Sequence, residues 1–368
     1  MERKVEEKGI PLQIHLAMLL VVLFWGIQVG AKGFAISTAN PVYNLISLAL
    51  VPVAMAKIVF NRYDPKVIIR CGLLFLTAAG IMLTTGDTRA LIIALSVLAF
   101  KDVSMEKIMG MTFVVRGISF AMRIMLCLAG VLDKEVNDLG ECGFGFGHSN
   151  LAHGEFFCIF AAFLLWKLKN VDLCQLGLLN LANIALFVFT RSKTPFILVI
   201  GMSMMVLMTD QEWFRRFLRI CVPNIFVVLS VVTIALSLLY YKMPLQIHAT
   251  FFSRFQTAFY MFRIYKLNLF GNDVRFLNDL GYVDLLFTFG VPWMLLFVGG
   301  HTLLGIYYSK RSNWTMLIYL LIISLYFTME AYAESVLYNY CWLYYSVLLF
   351  KKDSPFEQLY IRLTTEAL

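Results

Sequence analysis

The sequence predicts an all-α, polytopic integral membrane protein, a single domain over residues 1–368. Three observations carry this. Hydrophobic residues make up 60% of the chain and charged residues 15%, with a mean hydropathy of +0.76, whereas soluble domains are far more polar. Apolar runs fill nearly the whole length, many of them close to the ~20 residues that a membrane helix needs. The basic residues sit at the ends of those runs, so the net charge of +8 follows the pattern of cytoplasmic connections and does not point to nucleic acid. No polar stretch is long enough for a soluble domain, so any chemistry belongs to the helices and their connecting loops.

Twelve spans follow from the apolar runs, at roughly 12–35, 41–60, 67–85, 88–100, 110–131, 150–168, 173–190, 194–209, 217–240, 281–308, 314–329 and 333–350. The first is read as a retained span, because no small-residue cleavage site follows it. The fourth and eighth are short enough to be partial or tilted helices. Basic residues mark every alternate connection: Arg3, Lys4 and Lys8 before span one, Arg62, Lys66 and Arg70 after two, Lys101 and Lys107 after four, Lys167 and Lys169 after six. Arg215, Arg216 and Arg219 follow eight, Lys310 and Arg311 follow ten, and Lys351 and Lys352 follow twelve. This alternation puts both termini in the cytoplasm. Arg116 and Arg123 lie on one face of span five; Arg116 fits snorkelling to the cytoplasm, and Arg123 a structural ion pair.

The remaining connections face outward. The longest, 241–280 between spans nine and ten, carries Lys242, Arg254, Arg263, Lys266 and Arg275. Outward basic residues run against the charge rule, and an anionic substrate or lipid headgroups would explain them. Its aromatic residues, among them Phe255, Phe259 and Phe262, suit either sugar stacking or an amphipathic helix on the bilayer. A second outward stretch, 143–155, reads Gly-Phe-Gly-Phe-Gly-His-Ser-Asn-Leu-Ala-His-Gly-Glu. Its glycines specify a turn, and Ser149 and Asn150 are N-cap candidates for the helix that follows. That helix start is a ready anion site, or simply a loop re-entering the bilayer.

Several chemistries are missing from the sequence. There is no P-loop and no His-Glu-x-x-His. His148 and His153 are five apart across a helix start, poor spacing for a shared metal with Glu155. The seven cysteines are odd in number and lie mostly in apolar runs, which predicts no disulfide framework. Outward basic groups, few carboxylates and no energy source suit a transfer reaction from a donor already activated by a phosphate leaving group, without a metal or cofactor.

Four stretches together resemble one family. Gly-Phe-Gly-His-Ser-Asn at 145–150 resembles the Gly-Phe-Gly-His-Pro-Asn of Wzy-like exopolysaccharide polymerases, with Ser149 in place of proline. Thr-Arg-Ser-Lys-Thr-Pro-Phe at 190–196 resembles the Thr-x-Ser-Arg-Thr-x-Phe of the wider O-antigen ligase and polymerase superfamily, with Lys193 where arginine is usual. Ser253-Arg254 followed by Leu269-Phe270-Gly271 is similar to its outward-loop pattern. Asp279-Leu280-Gly281-Tyr282 with Gly290 is similar to its Asp/His-Asn-x-Tyr…Gly segment, and Glu330 fits the outer end of span eleven.

The resemblance, over roughly residues 100–345, implies a membrane glycosyltransferase. It would move a growing glycan from an undecaprenyl pyrophosphate carrier onto the next lipid-linked repeat. A flippase and a chain-length regulator of the same pathway would be its partners. Arg254 would hold the pyrophosphate, supported by Arg191, Lys193 and Arg275. Asp279 would be the general base, or else only the cap of the next helix. His148, Asn150 and Tyr282 would line the site. The physics agrees: leaving-group oxygen gathers charge that placed guanidinium groups stabilise, and the acceptor hydroxyl needs a nearby base. A ligase of the same superfamily and a flippase for lipid-linked sugars are the rival readings; paired broken helices would favour the flippase, and the sequence displays none.

Overall fold

A computed structural model describes residues 12–36, 65–167, 170–242, 253–274 and 279–350, with the isolated positions Pro52 and Met55. Among the described residues the secondary structure is helical apart from one isolated bridge, Val136 to Cys142. Thirteen α-helices are described: α1 Leu12–Gly33, α2 Pro65–Thr85, α3 Arg89–Ala99, α4 Met105–Leu128, α5 Ser149–Lys167, α6 Leu173–Thr190, α7 Lys193–Leu207, α8 Glu212–Leu239, α9 Ser253–Ile264, α10 Gly281–Thr288, α11 Gly290–Lys310, α12 Trp314–Phe327 and α13 Cys341–Phe350. The expected span at 41–60 lies outside the described residues.

Local chemistry sets many of the ends. Ser104 caps α4 by accepting from the Lys107 N–H, Asp172 caps α6 through Cys174, and Asn313 caps α12 through Met316. Arg191 closes α6 in the left-handed region, at φ 51°.

Among the described residues seven helices are long and apolar enough to cross a membrane, and four shorter apolar ones accompany them. The longer helices α2, α4, α6, α7 and α8 bury one face and leave large apolar side chains such as Leu76, Leu83, Val188 and Ile220 exposed. Apolar surface on that scale is what lipid contact demands. The chain is therefore an all-helical protein of membrane type.

Helices α5 and α12 are instead buried all round and form the centre. α5 packs against α4, α6 and α7, and α12 against α5, α7, α8 and α11. α13 packs against α3 and α11. At 1.5 Å per residue, α12 and α13 are only about 21 and 15 Å long, well short of a ~30 Å hydrocarbon core. Their burial among longer helices, rather than their length, keeps them out of water.

Two expected spans are divided. The last begins at Cys341, because residues 331–334 form a 3-10 turn and the chain then loops to Tyr340. The tenth breaks into α10 and α11 at Phe289–Gly290. Gly290 has φ +82°, and a Cβ there would stand 2.3 Å from the Leu269 carbonyl oxygen. Segment 269–272 is thus wedged against the break, where the Asn272 N–H donates to the Phe287 carbonyl at 2.8 Å. Thr84 fastens the wedge from α2 by donating to the Phe270 carbonyl at 2.9 Å.

The stretch 241–280 is partly structured. Its helix α9 lies on α8 and α10, and Phe255, Ala258 and Met261 join Tyr240, Leu280, Val283 and Phe287 in a small separate core. Phe259, Phe262 and Tyr265 pack against that core. These rings anchor the loop onto the bundle, and this burial withdraws Phe255 from the sugar-stacking role.

Candidate functional site

The predicted residues fall into two groups. The first is built by the glycine loop and the α6–α7 connection. The Cys142 N–H donates to the Phe189 carbonyl at 2.9 Å, and the Ser192 hydroxyl to Asn150 Oδ1 at 2.7 Å. The Arg191 guanidinium donates to the Leu139 carbonyl at 3.0 Å. His148, Asn150, Arg191 and Lys193 are therefore brought to one place, with His148, Arg191 and Lys193 exposed. Beneath them lies an apolar cleft of about 520 Å³ between α4, α5 and α6, with Phe144 and Phe189 among its walls.

Arg123 explains one glycine of this loop. Its Nε donates to the Phe144 carbonyl at 2.8 Å, and a Cβ on Gly145, at φ +80°, would fall 1.4 Å from its Nη2. Among the described residues Arg123 makes no ion pair, and instead bonds the loop backbone and stacks on Phe34, 6.0 Å from the ring centroid.

The anion site expected at the start of α5 is taken by the protein itself. Glu135 Oε2 accepts from the Gly147 N–H at 2.8 Å, and Glu141 Oε2 from the Ser149 hydroxyl at 3.2 Å. The cap also shifts by one residue: α5 begins at Ser149, and the His148 ring nitrogen Nδ1 accepts from the Asn150 N–H at 3.1 Å.

The second group joins three distant segments. Arg254, in the first turn of α9, pairs through Nε with Asp279 at 3.5 Å and through Nη2 with Glu330 at 3.3 Å, while Nη1 donates to the Met329 carbonyl. Asp279 is half exposed (53%) and Glu330 is buried (2%). Burial pushes the Glu330 carboxyl up to about 7, against the pull of Arg254 and with a further push from Asp279. Asp279 is not the N-cap of α10, which is Leu280. One guanidinium therefore faces two carboxylates of opposite exposure, and only Asp279 is open enough to be displaced by an incoming phosphate or reached by a hydroxyl.

Other expected residues lie elsewhere. Tyr282, expected to line the site, is fully buried; its ring packs on Phe297 and Phe327, and its hydroxyl donates to the Ser324 carbonyl at 3.4 Å. It faces inward because α10 turns that side toward α12. Arg275 lies outside the described residues. His153 is held by Thr190 and Asn183, each at 2.8 Å, and Glu155 by Arg116, so these two do not converge with His148 on a shared metal. Arg116 does not snorkel. It is fully buried and ion-paired with Glu155, and it also donates to the Leu337 carbonyl at 2.5 Å and the Tyr340 hydroxyl at 2.8 Å.

Among the described residues no hydrogen bond or ion pair links the two groups. Sequence reasoning named Glu330 but missed its partnership with Arg254; the only signal was a carboxylate closing a wholly apolar run. Comparison of the chain with protein-family models, with curated proteins and with solved structures finds no match.

Proposed function

We propose that the chain is a membrane glycosyltransferase that polymerises oligosaccharide repeats carried on undecaprenyl pyrophosphate, on the outer face of a bacterial cytoplasmic membrane. The observation that supports this best is Arg254 set between a half-exposed and a buried carboxylate. The acceptor hydroxyl attacks the donor's anomeric carbon, and the bond from that carbon to the pyrophosphate oxygen breaks. Asp279 takes the hydroxyl proton. Arg254 stabilises the charge gathering on the departing pyrophosphate. Glu330 sets how firmly Arg254 is neutralised: protonated below about pH 7, it frees the guanidinium for phosphate.

The test is a purified-protein assay in nanodiscs with lipid-linked repeat, in EDTA and without nucleotide. Arg254→Ala should abolish chain extension with folding intact, a loss of at least about a hundredfold. Arg254→Lys should keep partial activity, because it keeps the charge and loses the fork. Normal polymer from Arg254→Ala would sink the reading.

Topology enters the same proposal. Alternating basic connections imply twelve crossings with both termini inside. A cysteine probe at Asp138 or Asn272 should label from outside intact cells, and one at Arg215 should not. Labelling at Arg215 would reverse the orientation.

A second reading has its own support. The helix interrupted at Phe289–Gly290 and the buried Arg116–Glu155 pair are features of transporters, so translocation of lipid-linked sugar without chain extension in the same assay would favour it. A ligase would instead hand the finished glycan to another acceptor.

A further inference from the structure

A second charged cluster lies beside the helix break. Arg89, the first residue of α3, pairs with Asp87 at 2.6 Å and with Glu334 Oε2 at 2.5 Å. Its guanidinium stacks over the Phe289 ring at 4.8 Å. Glu334 closes the 3-10 turn 331–334, which packs on α10, and its carboxyl lies beside that of Asp284 on α10. Asp284 and Glu334 are both buried. Asp87 and Arg89 face the pair from the α2–α3 connection and Asp284 and Thr288 from α10, so three carboxylates meet one guanidinium.

Two facts do not fit three ionised carboxylates. Two carboxylates are acceptors only and cannot hydrogen-bond each other. Glu334 Oε1 is buried with no partner, a costly state for a charged oxygen. We propose that Asp284 and Glu334 together bind one proton, carried on Glu334 and donated to Asp284. That proton gives the orphan oxygen a partner and removes one of the two excess negative charges. The other stays near Asp87, whose side chain reaches solvent (18% exposed). Burial, and then the Asp284 charge, hold the Glu334 carboxyl well above the usual carboxylate range, in the same sense. The bound proton staples the 3-10 turn to α10, one turn of chain from Glu330. The site stands independently of the transfer reading.

Infrared spectroscopy of the full chain in nanodiscs tests this through the carbonyl stretch of a protonated carboxyl. At about pH 8.5, well above the ordinary carboxylate range, the wild type should keep such a band, and so should Glu330→Gln. Glu334→Gln and Asp284→Asn, both isosteric, should each lose it. A band that survives either substitution overturns the shared proton, as does its absence from the wild type. If a variant does not fold, carbon-13 labelling of glutamate carboxyls in the wild type decides: the band must shift, and an unshifted band overturns the proposal. Sodium that raises the unfolding temperature of the wild type, with no protonated-carboxyl band, would make this a metal-ion site and equally overturn it.

Discussion

In the 143–150 loop, charge is balanced within one short stretch. Glu135 and Glu141 come from the same connection as the amide and hydroxyl they accept from, and Arg123 reaches one turn of backbone that a glycine leaves open. Around Arg254 the balance is struck across the chain: residues 254, 279 and 330 belong to three segments, and two carboxylates share one guanidinium. A locally balanced loop has few donors left for a ligand. An over-subscribed arginine has a partner it can exchange. The contrast teaches that the stretch richest in motif residues spends them on its own structure, while the sparser one keeps a half-exposed partner.

The sharpest way to break the comparison is at Gly145. Gly145→Ala combines positive φ with a Cβ inside the Arg123 guanidinium, so it should cost about 3 kcal/mol or more and most of the folded protein. Adding Arg123→Ala should restore part of it, because the clash is with that side chain. Size-exclusion yield and thermal unfolding in detergent measure both. Full stability of Gly145→Ala alone would refute the packing described.

The same contrast decides what the sequence could reveal. Helices α1 to α8 were legible because an apolar run depends on nothing outside itself. The loop motif was legible for the same reason, since Gly145 and its neighbours are consecutive. The break at Phe289–Gly290 had a local signal that the apolar reading passed over, Pro292 in the first turn of α11, but its cause is the distant wedge at 269–272. Tyr282 was misplaced because a motif position does not say which face of α10 meets α12. Arg254 and Asp279 were placed by resemblance, and Glu330 became their partner only when residues 76 apart met.

The next effect in size is a pH dependence confined to the second region. Glu330 is raised from 4.5 to about 7 in the folded chain, so the folded state holds its proton more tightly than the unfolded one. Its contribution to stability is full below about pH 4.5 and is lost as pH rises through about 7, a change on the order of 3 kcal/mol. Glu334 acts in the same sense, so the measurement is the difference between wild type and Glu330→Gln. The two unfolding curves should diverge between about pH 4.5 and 7, with the wild type the steeper. Pyrophosphate binding should tighten as pH falls through about 7, and Glu330→Gln should flatten it. Parallel curves would mean that Glu330 does not titrate there, and its proposed control of Arg254 would fail with it.

The smallest effect falls on His148, where structure and proposed chemistry make different demands on one side chain. Its Nδ1 caps α5 by accepting from the Asn150 N–H, while the residue as a whole is exposed. Removal of a capping acceptor costs about 1 kcal/mol, so His148→Ala should lower the unfolding temperature by a few degrees. His148→Asn supplies an amide oxygen suited to the same cap and should recover most of that loss. Transfer activity then separates the two roles. If His148 serves only the helix, activity follows stability, and His148→Asn is nearly as active as the wild type. If the ring touches the acceptor sugar, both variants lose activity together although only His148→Ala is destabilised. A stable, inactive His148→Asn would make the glycine loop part of the reaction site rather than its scaffold, and would join the two regions that the described hydrogen bonds leave apart.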